Sequence, residues 1–238
     1  MTDAPGLTRR EFVEAAAVAG AGLTLAISFQ GCRAAPPPAG GAPFAPNAFL
    51  RVRSDGAVIV VIGRSEMGQG PTTALAMVVA EELDCDWERV SFEQAPAHTA
   101  YHDAFHRGQI TGDSVSIRTS WLPMREAGAI GRAMLVTAAA RVWGVEASAC
   151  RTEGGAVHHD PSGQTLEYGE LATRAAEVPV PDDVHLKDPS EFTLIGLSLP
   201  RLDTPDKVRG TAGFGLDTRL PDQLYASVER CPVFGGRV

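Results

Sequence analysis

The chain has 238 residues, of which 44% are hydrophobic and 21% charged, and its formal net charge is -8. This length suits one large domain or two small ones, and the composition is too apolar for a disordered chain. With 29 acidic against 21 basic residues, the chain lacks the basic surface that nucleic acids require. We therefore expect no nucleic-acid partner.

The first 32 residues have the features of an export signal. Arg9, Arg10 and Phe12 precede an uncharged apolar stretch of small residues at 15–28. That stretch is about 14 residues long, whereas a membrane-spanning helix needs roughly 20. We predict a twin-arginine signal over 1–32, and a location in the periplasm or on the outer face of the cytoplasmic membrane. An ordinary amphipathic first helix is the alternative.

Three fates of this signal are compatible with the sequence: lipidation of Cys32, cleavage nearby, or retention as an anchor. Phe29 and Gln30 stand where a lipoprotein signal prefers small residues. The twin-arginine route carries folded proteins, which favours an enzyme whose cofactor is inserted before export. Residues 33–46 are rich in Ala, Pro and Gly and predict a semi-rigid linker.

The cysteines indicate that any iron–sulfur cluster is held by another chain. Cys85, Cys150 and Cys231 follow the signal at wide spacing, so they predict no disulfide framework. A cluster needs several cysteine ligands, and the sequence contains no Cys-x-x-Cys.

The body of the chain opens with a hairpin, a glycine-rich loop and a helix. The pattern predicts strands at 49–53 and 57–62, then an apolar helix from Pro71 to about Leu83. The loop between them, 63–70, is placed where backbone N–H groups at a helix start bind an anion. It lacks the Lys-Ser/Thr of a P-loop and the third glycine of the dinucleotide fingerprint. A plain tight turn is the alternative.

The core of this loop, Met67-Gly68-Gln69-Gly70, resembles the cofactor-contacting loop of molybdenum-binding subunits in the xanthine dehydrogenase/aldehyde oxidase family. The resemblance implies that the Gln69 side chain hydrogen-bonds a molybdenum–pterin cofactor. It also implies that Gly68 and Gly70 allow the backbone to approach that cofactor closely.

A second segment, 109–121, carries more hydroxyl groups than a helix cap needs. It resembles the Thr/Ser-rich loop of the same family, most closely that of isoquinoline 1-oxidoreductase-like beta subunits. The role of Asp113 is left open: a carboxylate repels phosphate, and the alternative is that it accepts N–H groups of the pterin. A helix is predicted over 116–142, and Pro123 is expected to delay its regular part until Met124. The candidate cofactor-binding residues are thus Met67, Gly68, Gln69, Gly70, Thr111, Gly112, Ser114 and Ser116.

A third segment, 200–232, resembles the opening of the family's α/β hammerhead domain, and alternation predicts a strand at 224–228. The fold class is therefore predicted as α+β: part of a molybdopterin-binding domain at 47–177, a proline-spaced linker at 178–199 and the start of a hammerhead at 200–238. The hammerhead follows the glycine-rich loop, an order that resembles the isoquinoline-type branch. We expect the chain to be an N-terminal fragment.

The remaining elements connect these segments. We predict a strand at 90–93, a hairpin at 151–158 with a two-glycine turn, and a helix at 166–176. A helix carrying His98, His102 and His106 would present them on one face and suit zinc. This stretch has no helical periodicity, so we predict a loop and assign no metal ligand.

The resemblance implies a molybdenum hydroxylase that oxidises N-heteroaromatic compounds or aldehydes with oxygen derived from water. It further implies a molybdenum–molybdopterin cofactor in the cytosine dinucleotide form, a small [2Fe–2S] partner subunit, and a cytochrome as candidate electron acceptor. The general base of this family lies near the C-terminus of a longer chain, so we assign no catalytic residue. The alternative is an exported, non-catalytic binding module with an incidental glycine-rich turn.

Overall fold

A computed structural model describes residues 22–26, 48–103 and 105–236. The linker predicted at 33–46 and most of the predicted signal lie outside these residues. The chain divides into two compact units, of which the first ends at Leu202 and the second begins at Asp203. Helices and sheets occur together in the first unit, so the α+β fold class is confirmed. Within the described ranges, no helix is both long and apolar enough to cross a bilayer.

The main sheet of the first unit has four strands in the order β1-β2-β3-β4. They are Gly22–Ala26, Ala48–Arg53, Val58–Ile62 and Val90–Gln94. The first two pairings are antiparallel and the β3–β4 pairing is parallel. The last three strands confirm the strand predictions, whereas β1 lies inside the segment predicted as the export signal.

Two helices cover this sheet and form the core with it. Helix α1, Pro71–Leu83, connects β3 to β4, and helix α2, Trp121–Trp143, packs against α1. The helices approach closely at Gly128, where a Cβ atom would lie 2.5 Å from the carbonyl oxygen of Val79. Consecutive side chains of β3 are buried on both faces of the sheet, which is typical of a strand with a parallel neighbour.

The start of α2 differs from the sequence prediction. Residues 116–120 form turns, and the helix begins at Trp121. Pro123 lies in the first helical turn, where a missing N–H costs no intrahelical hydrogen bond. The proline therefore does not delay the regular helix to Met124.

A smaller antiparallel sheet follows in the order β5-β6-β7. Its strands are Arg151–Glu153, Ala156–His159 and Gln164–Glu167, and helix α3, Tyr168–Ala176, comes directly after them. The turn between β5 and β6 is Gly154-Gly155, with φ of 58° and 85°, as predicted. The predicted helix start at 166 is wrong, because Leu166 belongs to β7.

The stretch predicted as a linker, 178–199, is fastened to α1 through buried charges. The Glu81 carboxylate accepts N–H groups from Thr193, Leu194 and Ile195 at 2.7–3.1 Å, and the Lys187 ammonium at 2.9 Å. Part of this stretch is thus packed against α1 and belongs to the first unit.

The second unit contains helix α4, Thr204–Arg209, and a 3₁₀ turn at Gly215–Asp217. The strand predicted at 224–228 is wrong, because the described residues 203–236 contain no strand. Leu224, Tyr225 and Val228 are 92%, 75% and 84% exposed. A lone strand leaves its backbone groups unpaired, and none of these residues has a neighbouring strand to pair with.

Candidate functional site

The site lies where β3 and β4 end. Because the two strands are parallel, their carboxyl ends lie at the same edge of the sheet. The glycine-rich loop, 63–70, follows β3, and residues 95–103 follow β4. The sheet therefore places these two loops side by side.

Arg64 is the centre of the contacts between the loops, and only 5% of it is exposed. Its guanidinium donates to the Asp103 carboxylate at 2.5 Å, to the Ile110 carbonyl at 2.5 Å and to Thr119 Oγ1 at 2.7 Å. Its Nε donates to Ser120 Oγ at 3.3 Å. One buried side chain thus connects the end of β3, the loop after β4 and the turn before α2.

The partner of Arg64, Asp103, is held ionised. Burial of this carboxyl opposes ionisation, but hydrogen bonds from Thr119, Arg64 and the His106 backbone outweigh it, so the pKa of Asp103 lies below its usual range. The second carboxylate oxygen accepts the N–H groups of Phe105 at 2.8 Å and His106 at 2.9 Å. The charge therefore orders its own loop as well as Arg64.

A direct hydrogen bond joins the two segments that the sequence analysis assigned to a cofactor. The Ser65 N–H donates to Thr111 Oγ1 at 2.8 Å. Thr111, from the Thr/Ser-rich segment, therefore lies against the glycine-rich loop, although 46 residues separate it from Ser65.

The Thr/Ser-rich segment turns sharply after Thr111. Asp113 and Ser114 adopt left-handed φ angles of 51° and 55°. The N–H groups of Gly112, Asp113 and Ser114 make no hydrogen bond within the described part of the chain. Successive free N–H groups in such a turn form a concave anion-binding surface. Asp113 directs its carboxylate to His106 Nε2, 2.9 Å away, which gives this residue a structural partner.

Within the glycine-rich loop, Gln69 folds back on its own backbone. Its Oε1 accepts the Met67 N–H at 2.6 Å, and its Nε2 donates to the Ser65 carbonyl at 3.1 Å. Met67 is 70% exposed, and the Gln69 N–H makes no hydrogen bond to any described residue. For the contact expected of it, the Gln69 side chain would exchange these internal hydrogen bonds for bonds to the cofactor.

The anion that the loop amides bind is Glu66, a residue to which the sequence analysis gave no role. Its carboxylate accepts the Gly68 and Gly70 N–H groups at 2.7 and 3.1 Å, and the Thr72 hydroxyl at 3.0 Å. Partial burial works against ionisation, but these bonds and the charge of Arg201 keep the pKa of Glu66 below its ordinary value. The expectation that these amides face an external anion is corrected accordingly.

The histidines at 98, 102 and 106 do not converge on one point. His98 Nδ1 accepts the Ala100 N–H at 3.1 Å, while His106 lies between Asp103 and Asp113. No group of three or more His, Cys, Asp or Glu side chains suited to a metal ion occurs among the described residues.

A small pocket of about 70 Å³ adjoins both loops, with Gly63, Arg64, Asp103 and Thr119 in its lining. It has room for a few water molecules, whereas pockets for drug-sized ligands measure about 300–1,000 Å³. A pterin would therefore lie on the exposed face of the loops.

The groups on that exposed face fit a pterin with a phosphate tail. Free N–H donors occur at Gln69 and at the Gly112–Ser114 turn, and they match the carbonyl and phosphate oxygens of such a ligand. Ser116 lies in the same segment, and its side chain makes no hydrogen bond to another described residue. A Cβ atom at Gly68 or Gly70 would meet no atom within 4 Å, so the loop backbone is open on this side.

Comparison with known proteins agrees with this chemistry. A family model described as the molybdopterin cofactor-binding domain matches residues 3–214. The chain is 37% identical over 225 residues to the beta chain of isoquinoline 1-oxidoreductase from Brevundimonas diminuta, covering 80% of this chain and 29% of that protein. It is 34% identical to a subunit of nicotinate dehydrogenase from Pseudomonas putida, covering 79% and 15% of the two chains.

A third relative is named as a membrane-bound aldehyde dehydrogenase [pyrroloquinoline-quinone] of Gluconacetobacter polyoxogenes. It is 31% identical, with 82% of this chain and 25% of that protein covered. Among solved structures, the CO dehydrogenase of Oligotropha carboxidovorans matches with a TM-score of 0.43 and 24% identity, over 60% of this chain and 18% of that one.

The chain spans less than a third of the length of each of these curated relatives. The match to the family model nevertheless covers most of the chain and both loops of the site. The chain therefore belongs to the molybdopterin cofactor-binding domain family.

Proposed function

We propose that this chain supplies part of the molybdopterin cradle of a molybdenum hydroxylase. The observation that carries the proposal is the hydrogen bond from the Ser65 N–H to Thr111 Oγ1. It brings together the two segments that resemble cofactor loops, in a chain that belongs to a cofactor-binding family.

The residues of the site would hold and orient the cofactor. The free N–H groups at Gln69 and at the Gly112–Ser114 turn donate to its oxygen atoms, and the Gln69 amide adds a side-chain contact. Arg64 and Asp103 keep the two loops in register beneath this surface. When bound, the cofactor supplies transfer of a water-derived oxygen and accepts two electrons. We assign no catalytic base among the described residues.

We propose that the substrate is an N-heteroaromatic compound or an aldehyde, since the relatives are named for isoquinoline, nicotinate and aldehyde. The cofactor is proposed to be the cytosine dinucleotide form. Electrons would pass to [2Fe–2S] clusters on a small partner subunit and then to a cytochrome; the sequence itself contains no Cys-x-x-Cys, a spacing common among iron–sulfur ligands. The twin arginines support export to the periplasm.

Cofactor analysis of the full-length protein, purified from its native host, tests this proposal. We expect molybdenum and a pterin in about equal amounts. Pyrroloquinoline quinone in their place would contradict a molybdopterin cradle and would match the name of the third relative. Absence of all three would contradict it in favour of a non-catalytic binding module.

The role of the loop is tested by Gln69→Ala, with Gln164→Ala on β7 as the control. Loss of one or two hydrogen bonds to a bound ligand lowers affinity by about tenfold. We expect cofactor occupancy to fall for Gln69→Ala only, while the apolar core still folds in both variants. Equal occupancy in the two variants would show that the Gln69 side chain is not a cofactor contact.

A further inference from the structure

We propose that Glu66 and Arg201 act together as positioning residues that hold the glycine-rich loop in its cofactor-binding shape. The inference rests on the proposed function for its purpose. Its structural content, the ordering of the loop by this ion pair, can be measured separately.

Arg201 lies next to the C-terminal end of the first unit in the sequence, and its side chain contacts the glycine-rich loop. Its Nη1 donates to the Gly68 carbonyl at 2.9 Å, and its Nη2 donates to Glu66 Oε1 at 3.0 Å. The neighbouring Leu202 N–H donates to Thr73 Oγ1 in α1 at 3.1 Å, which fixes the backbone beside the arginine. The planar guanidinium therefore makes two contacts with one short loop.

The same carboxylate oxygen of Glu66 also accepts the N–H groups of Gly68 and Gly70. Both glycines have left-handed backbones, with φ of 100° and 84°. Glycine populates many other conformations at little cost, so these angles need external contacts to keep them. The two glycines flank Gln69, and their conformations set the direction of the Gln69 N–H and side chain.

Charge explains why the pair is needed. Glu66 is ionised and sits at the start of α1, beside the surface proposed to hold a phosphate-bearing cofactor. Its side chain is only 13% exposed, so water screens it poorly, and an unpaired carboxylate there would repel phosphate. Arg201 supplies the balancing charge and, through the Gly68 carbonyl, a second hold on the loop.

The test compares Arg201→Gln with Arg141→Gln in the full chain. Both variants remove one positive charge, but Arg141 is exposed near the far end of α2, about 30 Å along the helix from the site. Hydrogen–deuterium exchange of peptides covering 64–72 is measured without added cofactor. We expect exchange in Arg201→Gln to be about tenfold faster than in the wild type and the control. Unchanged exchange would overturn the proposal.

If Arg201→Gln does not fold, Arg201→Lys replaces it and is expected to show intermediate exchange, because lysine keeps the charge but not the two-pronged contact. Exchange equal to the wild type in Arg201→Lys would count against the proposal.

A double variant tests whether the two residues act as one unit. Glu66→Gln and Arg201→Gln together should accelerate exchange by less than the product of the two single effects, because both changes weaken the hydrogen bond from Arg201 Nη2 to Glu66 Oε1. Multiplied effects would show that they act independently and would overturn the proposal.

Cofactor content separates this inference from the proposed function. If the wild type contains no molybdopterin but the loop exchanges faster in Arg201→Gln, the proposed function is contradicted. The ordering of the loop by Glu66 and Arg201 is then supported. If the wild type contains molybdopterin but exchange and cofactor occupancy are unchanged in Arg201→Gln, the inference is contradicted. The proposed function is then unaffected.

Discussion

At the scale of single residues, the site depends on charges that are buried and paired. The Asp103 side chain is fully buried beside Arg64, and its pKa is held below the ordinary value of 3.8. A carboxyl with a lowered folded-state pKa stabilises the protein above its unfolded-state pKa. That contribution is lost as the pH falls through the folded-state value.

Asp103→Asn should therefore lower the free energy of unfolding by about 3 kcal/mol at pH 7, because it leaves Arg64 buried without its counter-charge. The difference from the wild type should shrink below about pH 4, where the Asp103 carboxyl of the unfolded wild type becomes protonated. Urea unfolding at several pH values measures it, with the exposed Asp183→Asn as control. A difference that is independent of pH would show that the Asp103 charge is not the stabilising feature.

Sequence patterns revealed some of these residues and missed others. Gln69 and its glycines could be predicted as cofactor contacts because they form a short motif within one loop. The ion pairs of Arg64 with Asp103 and of Glu66 with Arg201 were missed because the partners lie 39 and 135 residues apart in the sequence. The parallel pairing of β3 with β4 brings Arg64 to Asp103. The packing of Leu202 on α1 brings Arg201 to Glu66.

At the scale of elements, prediction succeeded where a segment determines its own structure. Helix α1 and the β5–β6 hairpin follow from an apolar run after a proline and from a two-glycine turn. The strand predicted at 224–228 failed because a strand needs a neighbour, and alternation alone does not supply one. The prediction of a linker at 178–199 did not include its contacts with α1. Nothing in the composition of this stretch reveals that Lys187 and residues 193–195 contact Glu81.

Glu81→Gln should release this stretch from α1. The sequence contains two lysines, Lys187 and Lys207, and their side chains are 9% and 34% exposed. A lysine-specific protease should cleave Glu81→Gln at Lys187 about tenfold faster than the wild type, since hydrogen bonds to a charged group contribute about 1.5–3 kcal/mol. Cleavage at Lys207 is the internal reference, and Glu88→Gln is the matched variant. An unchanged ratio between the two sites would contradict the role of Glu81.

At the scale of the whole molecule, the proposed export of a folded, cofactor-loaded protein depends on Arg9 and Arg10. We expect Arg9→Lys and Arg10→Lys together to trap the protein in the cytoplasm with its cofactor in place, because the twin-arginine route reads the arginine pair and not the charge alone. Cell fractionation measures this, with Arg33→Lys as the control. Periplasmic protein in the double variant would contradict the proposed signal.

The position of β1 gives removal of the proposed export signal a structural consequence. Gly22–Ala26 pairs with β2 and forms one border of the main sheet, so a peptidase that cut the chain after this strand would make β2 the new border. Such a border attracts strands from other molecules unless charged side chains discourage them. Arg51 and Arg53 lie on β2. After such a cleavage, these charged side chains would disfavour pairing of β2 with a strand of another molecule.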